Sequence, residues 1–481
     1  MSNKSVSYSI DLEIPKSYAG NLLDFIYRKY LLQQPQRFVD ISRAGADGNS
    51  SLVFSVLDQS GKRSLQVEIV ASKPIEVNIK AVSETAREEA MTQIRQDILI
   101  AVELFEEKVR KSTLFFAWRE GERIVPEQVS GKEKKSINRL FLETQVLLFI
   151  IFITIGFFLF PIMGMYAPIA LMAIQLVIVF YSYKFIERTA DWRITEDNPT
   201  IHLLEYSLPL EEQEVFTKKY PKEKILEIKK EMYEQTISKK GEIDCETAGQ
   251  VFKKHGLECS PENLSARRVN VYELVKKIAQ KFGFPMPKIV VSNTIIPNAA
   301  ASGPSPSRGV VLITTGLLAQ LEEDEILSVL GHEFGHLKGR DPLLLYGLMG
   351  SEFLFRFYVV LSFFPIIFSS IFLFLVYFWA VMTLLFFIAK FFEARADLIS
   401  AIVIGQPQIL AKALEEIGFK RLLLERTPAY RFQEWISLDP HPPIYFRVER
   451  LEKLESPANI QHPLARSAKD VTRGFFATLG M

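Results

Sequence analysis

The chain has 481 residues, with 57 Lys and Arg against 56 Asp and Glu, so its net charge is +1. Its length suits two or three domains, and the charge balance excludes an electrostatic case for nucleic acid as a partner. Its two cysteines, Cys245 and Cys259, are too few for a disulfide framework and read as free or buried thiols in a reducing compartment.

In chain order, residues 1–135 read as a soluble α+β domain of unknown role. No signal peptide is visible in Met1 to Leu12. Ser7 to Ile14, Leu52 to Leu57, Leu65 to Val70 and Ile75 to Val82 are strand-like, and Leu23, Phe25, Ile26 and Tyr30 suggest a helix. Glu84 to Lys111 reads as a long helix with Ile94, Ile98, Val102 and Phe105 on one face.

Val146 to Tyr183 carries no charge, and Pro161, Gly164 and Pro168 interrupt it midway. One crossing needs about 20 residues, so 144–184 is predicted as a transmembrane hairpin with helices over about 144–162 and 166–184. Residues 190–265 are densely charged in both signs and read as a solvated helical linker or arm. His202 and His255 there are read as structural or exposed rather than as ligands.

Residues 266–342 form the first part of a compact catalytic domain. Tyr272 to Phe282 is an amphipathic helix, and Lys288 to Val291 and Val310 to Thr314 are strands. Between them lie Asn298, Ala299, Ala300 and Ala301, followed by Ser302 and Gly303. Small residues on an edge strand leave room for an extended substrate to pair by main-chain bonds. On composition alone, a plain Ala/Ser-rich turn is the better reading.

His332-Glu333-Phe334-Gly335-His336 spells H-E-x-x-H. Residues four apart share a helix face, so both imidazoles can meet one metal, with Glu333 in reach of a water on it as general base. Acidic residues 322–325 favour a helix start, Gly339 a C-cap, and Pro342 a stop. Within 343–390 a second apolar stretch, Leu343 to Ala389, is interrupted only by Glu352 and Arg356, which can pair at i, i+4. It is predicted as a second hairpin, about 345–367 and 370–390.

Beyond it, in 391–481, Glu393 offers a third metal ligand, with Asp397 one turn on to orient a ligating His. On spacing alone, an exposed acidic pair balanced by Arg395 reads equally well. If Glu393 and His336 bind one ion, the chain must cross the bilayer an even number of times between them. Basic residues flank both hairpins at their outer ends and are absent from both turns, which predicts that the site and both termini face the cytoplasm; the cell (inner) membrane is the expected location.

Asn298 to Gly303, the H-E-x-x-H motif, Glu393-Ala394-Arg395-Ala396-Asp397, and His441-Pro442-Pro443 followed by Arg447 occur in that order. Together they resemble the HtpX-like membrane zinc metallopeptidases, relatives of the CAAX prenyl proteases, over about residues 269–452 plus the upstream hairpin. The resemblance implies an α-helical integral membrane protein with four transmembrane helices as two hairpins. It also implies a mainly helical gluzincin-like catalytic domain with a small sheet, beside the N-terminal α+β domain. His332, His336 and Glu393 correspond to the ligands of one Zn2+ and Glu333 to the catalytic base. Asn298, Ala299, Ala300 and Ala301 match the strand that docks substrate backbone, although the family often has Phe where Ala300 stands. His441 and Arg447 match residues near the active site, candidates for stabilising the oxyanion. The implied activity is peptide hydrolysis on polypeptides, as quality control of membrane proteins. The alternatives are processing of one lipidated or membrane substrate, or an inactive membrane scaffold.

Overall fold

The computed structural model describes residues 5–10, 18–46, 49–58, 61–72, 74–82, 88–111, 113–125, 154–208, 220–239, 241, 243–257, 259–425 and 428–480. Two compact units emerge, one from residues 1–116 and 204–266, the other from 117–203 and 267–481. The strands Thr113–Arg119, Thr200–Ser207 and Leu264–Asn270 carry the chain between them.

In the first unit, β1 (Ser5–Ile10), β2 (Phe38–Ala46), β3 (Asn49–Leu57), β4 (Arg63–Val70) and β5 (Ile75–Ala81) form an antiparallel sheet in the order β1-β5-β4-β3-β2. Strict alternation puts Leu65, Val67 and Ile69 of β4, and Ile75, Val77 and Ile79 of β5, on one buried face. They share a core with helices α1 (Ala19–Ile26) and α2 (Glu88–Lys111), whose Ile94, Ile98, Val102 and Phe105 form the apolar stripe expected there. Residues 84–87, expected to start α2, lie outside the described residues.

The described residues of 190–265, a segment expected as a solvated helical arm, include a buried apolar face. Helices Lys222–Gln235 and Cys245–Lys254 bury Ile228, Met232, Val251 and Phe252. One narrow apolar face suffices for this, and the surrounding charges mask it in the composition. Cys245 and Cys259, expected as thiols, are joined by a disulfide with Cα atoms 6.0 Å apart. After the second helix the chain reverses at Gly256 (φ +76°), and Cys259 returns against side-chain-free Gly249 on that helix. His255 Nε2 lies 2.9 Å from Glu231.

In the second unit, β6 (Trp192–Ile194), β7 (Lys288–Ser292), β8 (Ala299–Ser302) and β9 (Val310–Thr314) make a sheet in the order β8-β9-β7-β6, with β7 and β9 parallel. The Ala-rich segment is therefore an edge strand.

Among the described residues, three stretches are long and apolar enough to cross a membrane: Thr154–Thr189, Asp341–Phe363 and Ile371–Ile404. The first is bent. Gly164 has φ +50° in a tight turn before α3 (Ala167–Thr189), and a Cβ on Gly156 would lie 3.6 Å from Leu171. In a straight helix those fifteen positions span about 22 Å, so the chain folds back here. Residues 144–153, expected in the first arm, lie outside the described residues. The other two stretches form an out-and-back pair, entered through α5 (Asp341–Phe355) and left along α6 (Ile371–Ile404). Glu352 and Arg356 pair at 3.2 Å, and Tyr377 of α6 donates to Glu352 at 3.4 Å. With 34 residues, α6 is about 51 Å long against a hydrocarbon core of about 30 Å. Its last turns therefore project beyond the bilayer.

Those turns pack on α4 (Glu323–Gly339), the helix of the H-E-x-x-H motif. Gly331, Gly335 and Gly339 recur every four residues, so one face of α4 lacks side chains. A Cβ on Gly335 would sit 3.0 Å from the Ala396 Cα of α6. Gly335→Val should therefore part the two helices, destabilising the protein by about 1–3 kcal/mol. Gly20→Ala, on an open face of α1, should do neither. Thermal melting in detergent checks both, and a Gly335→Val protein that melts like the parent would contradict this packing account.

Candidate metal centre

The helix α4 begins in a reciprocal cap, where Glu322 N–H donates to the Glu325 carboxylate at 2.8 Å. It ends at Gly339, with Arg340 in the left-handed region (φ +53°) as the cap beyond it. Gly339 is held to glycine by proximity, because the Arg395 guanidinium lies where a Cβ would be.

On this helix His332 and His336 Nε2 atoms face each other at 3.1 Å. Glu393 Oε2 lies 3.5 Å from His332 Nε2, and Glu393 Oε1 lies 3.5 Å from His336 Nε2. The rings are oriented from behind. His332 Nδ1 is 2.8 Å from Asp397 Oδ1, and His336 Nδ1 is 2.7 Å from Asp341 Oδ2. Those carboxylates are held in turn: Arg447 grips Asp397 with two bonds of 2.9 and 2.7 Å, and Arg395 pairs with Asp341. His336 Nδ1 is hydrogen-bonded to Asp341 and His332 Nδ1 lies in ion-pair range of Asp397, which leaves the two Nε2 atoms converging. Such a pair can share a metal ion, or a proton when no metal is bound. In the metal-free protein burial opposes charge on His332, but its bonds to Asp397 and Glu393 outweigh this and push its pKa up to about 10. Burial likewise opposes charge on His336, and Glu393 and Asp341 raise its pKa.

This donor set fits a metal ion. Ligand atoms about 2.0–2.2 Å from a tetrahedral ion lie about 3.3–3.6 Å apart, close to the separations here. Glu393 Oε2 is buried without a hydrogen-bond partner, as expected of an oxygen reserved for a cation. His332, His336 and Glu393 are the one such cluster found among the described residues.

Glu333 points to the edge strand, where its Oε2 accepts from the Ala301 N–H at 3.0 Å. Asn298 is tied to β9, its carbonyl accepting from Thr314 N at 3.0 Å. Ala300, two residues on and opposite Leu312, then bonds β9 as well, while the backbones of Ala299 and Ala301 face away from it. His441 Nε2 lies 3.5 Å from Glu393 Oε2, at the rim of the cluster. Arg447 departs from its expected oxyanion role: its planar fork is engaged by Asp397, and the residue is only 6% exposed. Asp341 was missed by sequence reasoning. It lies five residues beyond His336, across a helix break, and no periodicity marks it.

The profile of Peptidase family M48 matches residues 265–455. A Protease HtpX homolog of Pyrococcus furiosus is 30% identical over 218 residues, covering 38% of this chain and 73% of its own. The homolog of that name in Gemmatimonas aurantiaca is 28% identical over 219 residues, 38% of this chain and 75% of its own. The one in Thermodesulfovibrio yellowstonii is 43% identical over 79 residues, so the chain spans only 28% of that relative. The crystal structure of S. mikatae Ste24p aligns over 77% of this chain and 76% of its own, at TM-score 0.40 and 13% identity, a likeness too distant to carry an argument. The ordered motifs, the converging His–His–Glu cluster and these relatives agree: the chain belongs to peptidase family M48, among its HtpX-like members.

Proposed function

We propose that the protein is a membrane-embedded zinc endopeptidase that hydrolyses polypeptides at the bilayer surface. The observation that carries this is the convergence of His332, His336 and Glu393 beside a carboxylate, Glu333, that reaches the edge strand. Two imidazoles and one carboxylate with an open fourth position suit catalytic zinc. Zinc held there would act as a Lewis acid on the scissile carbonyl and lower the pKa of water. An extended chain would pair with the outward backbones of Ala299 and Ala301, displacing the bond from Ala301 to Glu333. The freed Glu333 takes the proton of the attacking water and returns it to the leaving amine. His441, 46% exposed at its side chain, is positioned to donate to the developing oxyanion. Arg447 acts through Asp397 on the orientation of His332.

Four crossings as two hairpins account for the backward fold at Gly164 and for the return of Glu393 to the two histidines. The substrate strand is linked to a membrane helix, with Ser182 Oγ of α3 3.1 Å from Ser302 Oγ. That favours membrane-associated polypeptides, and quality control of membrane proteins is the role we favour. Basic residues at the outer ends of both hairpins support a cytoplasmic site. The Cys245–Cys259 disulfide is a signal in the other direction, since such bonds persist mainly in oxidising compartments. The basic flanks act on insertion itself and carry the assignment.

Glu333→Gln should bind zinc as the parent does and lose casein cleavage by at least about 100-fold. Turnover near the parent rate would remove Glu333 as the base, and a parent protein that takes up no divalent ion would favour a scaffold. Asp341→Ala and Asp397→Ala should each weaken zinc binding by about 10–100-fold, read by competition with a chromogenic chelator. Unchanged affinity in both would show that the carboxylates do not orient the rings. In sealed inside-out vesicles of the cell membrane, trypsin should digest the units outside the bilayer. Complete protection would put the site on the opposite face. Cleavage products discriminate the role, since many scattered cuts favour quality control and a single site favours processing.

A further inference from the structure

The loop before α8 (Ile444–Glu452) is fastened more heavily than a connection needs. It runs Ser437-Leu438-Asp439-Pro440-His441-Pro442-Pro443, and its three prolines already restrict the backbone. The buried Lys390 of α6 donates to the carbonyls of Ser437 and Asp439. Glu425, at the end of α7 (Pro407–Glu425), accepts from the N–H groups of Ile444 and Tyr445, both at 2.9 Å. Asp439 is the hub. Its Oδ2 accepts from Arg421 at 2.9 Å, and its Oδ1 accepts both the backbone N–H and the ring Nδ1–H of His441, each at 2.8 Å. Arg421 is itself anchored by Glu434.

This chain explains how an open side chain points in one direction. The His441 imidazole is about half exposed, and a free ring would sample several rotamers. With Nδ1 bound to Asp439, the other nitrogen faces the cluster, 3.5 Å from Glu393. Burial raises the Asp439 carboxyl, but its hydrogen bond to His441 and the charges of His441 and Arg421 hold it well below the usual range. It therefore stays an acceptor, and the proton between the two groups belongs to Nδ1.

We propose that Asp439 is a positioning residue for the hydrolysis, fixing the rotation and tautomer of His441 so that Nε2 is presented to the substrate carbonyl. This rests on the peptidase reading above. A purely structural Asp439 would stabilise the loop without acting through the ring.

The test uses the full-length zinc-loaded protein in detergent, with fluorescently labelled casein as probe. Asp439→Ala and His441→Ala should each lower kcat by about 10–100-fold with KM within about twofold. The double variant should be no slower than His441→Ala alone, because one residue acts through the other. Asp439→Asn, which keeps an acceptor for Nδ1–H, should recover part of the rate. An Asp439→Ala protein with parental kcat, or losses that multiply in the double variant, would overturn the proposal. A second readout needs no turnover: the ring 15N shifts of His441, identified by their absence in His441→Ala. They should report protonated Nδ1 in the parent and a changed tautomer balance in Asp439→Ala, and an unchanged balance would also overturn it. A zinc-loaded parent that cleaves no casein would count against the peptidase reading, while the ring shifts would still decide the role of Asp439.

Discussion

Two imidazole nitrogens held face to face at 3.1 Å are the constraint on which the catalytic unit depends. The fold maintains this approach by placing a buried carboxylate behind each ring. Those carboxylates would themselves be costly to bury without Arg447 and Arg395. The arrangement is thus nested. Cation site, rings, carboxylates and guanidinium groups each leave a charge or lone pair that the next layer answers.

The nesting requires α4 and α6 to lie unusually close. Side chains on α4 at 331, 335 or 339 would collide with Ser400, Ala396 or Arg395. The glycine stripe admits α6, and Ser400 then reaches the Ser328 carbonyl at 2.8 Å. The membrane enters the same geometry. The chain leaves α4, passes out along α5 and returns along α6, so Glu393 arrives from the far side of an apolar hairpin more than fifty residues after His336. Burial of the hairpin in lipid would therefore help to set the position of Glu393.

Much of this was legible in the chain, unevenly. The H-E-x-x-H spacing marks its own geometry because a helix turn converts i, i+4 directly into proximity. The Glu352–Arg356 pair followed from the same rule. Glu393 was ambiguous on spacing, since an acidic pair on a helix looks the same whether it faces solvent or a cation. Arg447 was placed near the site by resemblance, yet its partner Asp397 lies fifty residues away and redirects it. The disulfide was misread from the number of cysteines, because composition cannot see a helix folding back on a glycine. The charged segment 190–265 was misread because a single buried face is outvoted by the charges around it.

What the sequence determined by itself is local: the motif helix, the apolar lengths that exceed one bilayer crossing, and the alternation of the N-terminal sheet. Each follows from a fixed period of 3.6 or 2 residues, or from a run length compared with lipid thickness. What only the tertiary structure decided is which distant groups meet: Asp341 behind His336, Asp397 under Arg447, Asp439 against His441, Cys245 with Cys259. Those pairings depend on how closely helices approach and where turns reverse the chain. Such distances are set by packing, and periodicity along one segment does not encode them.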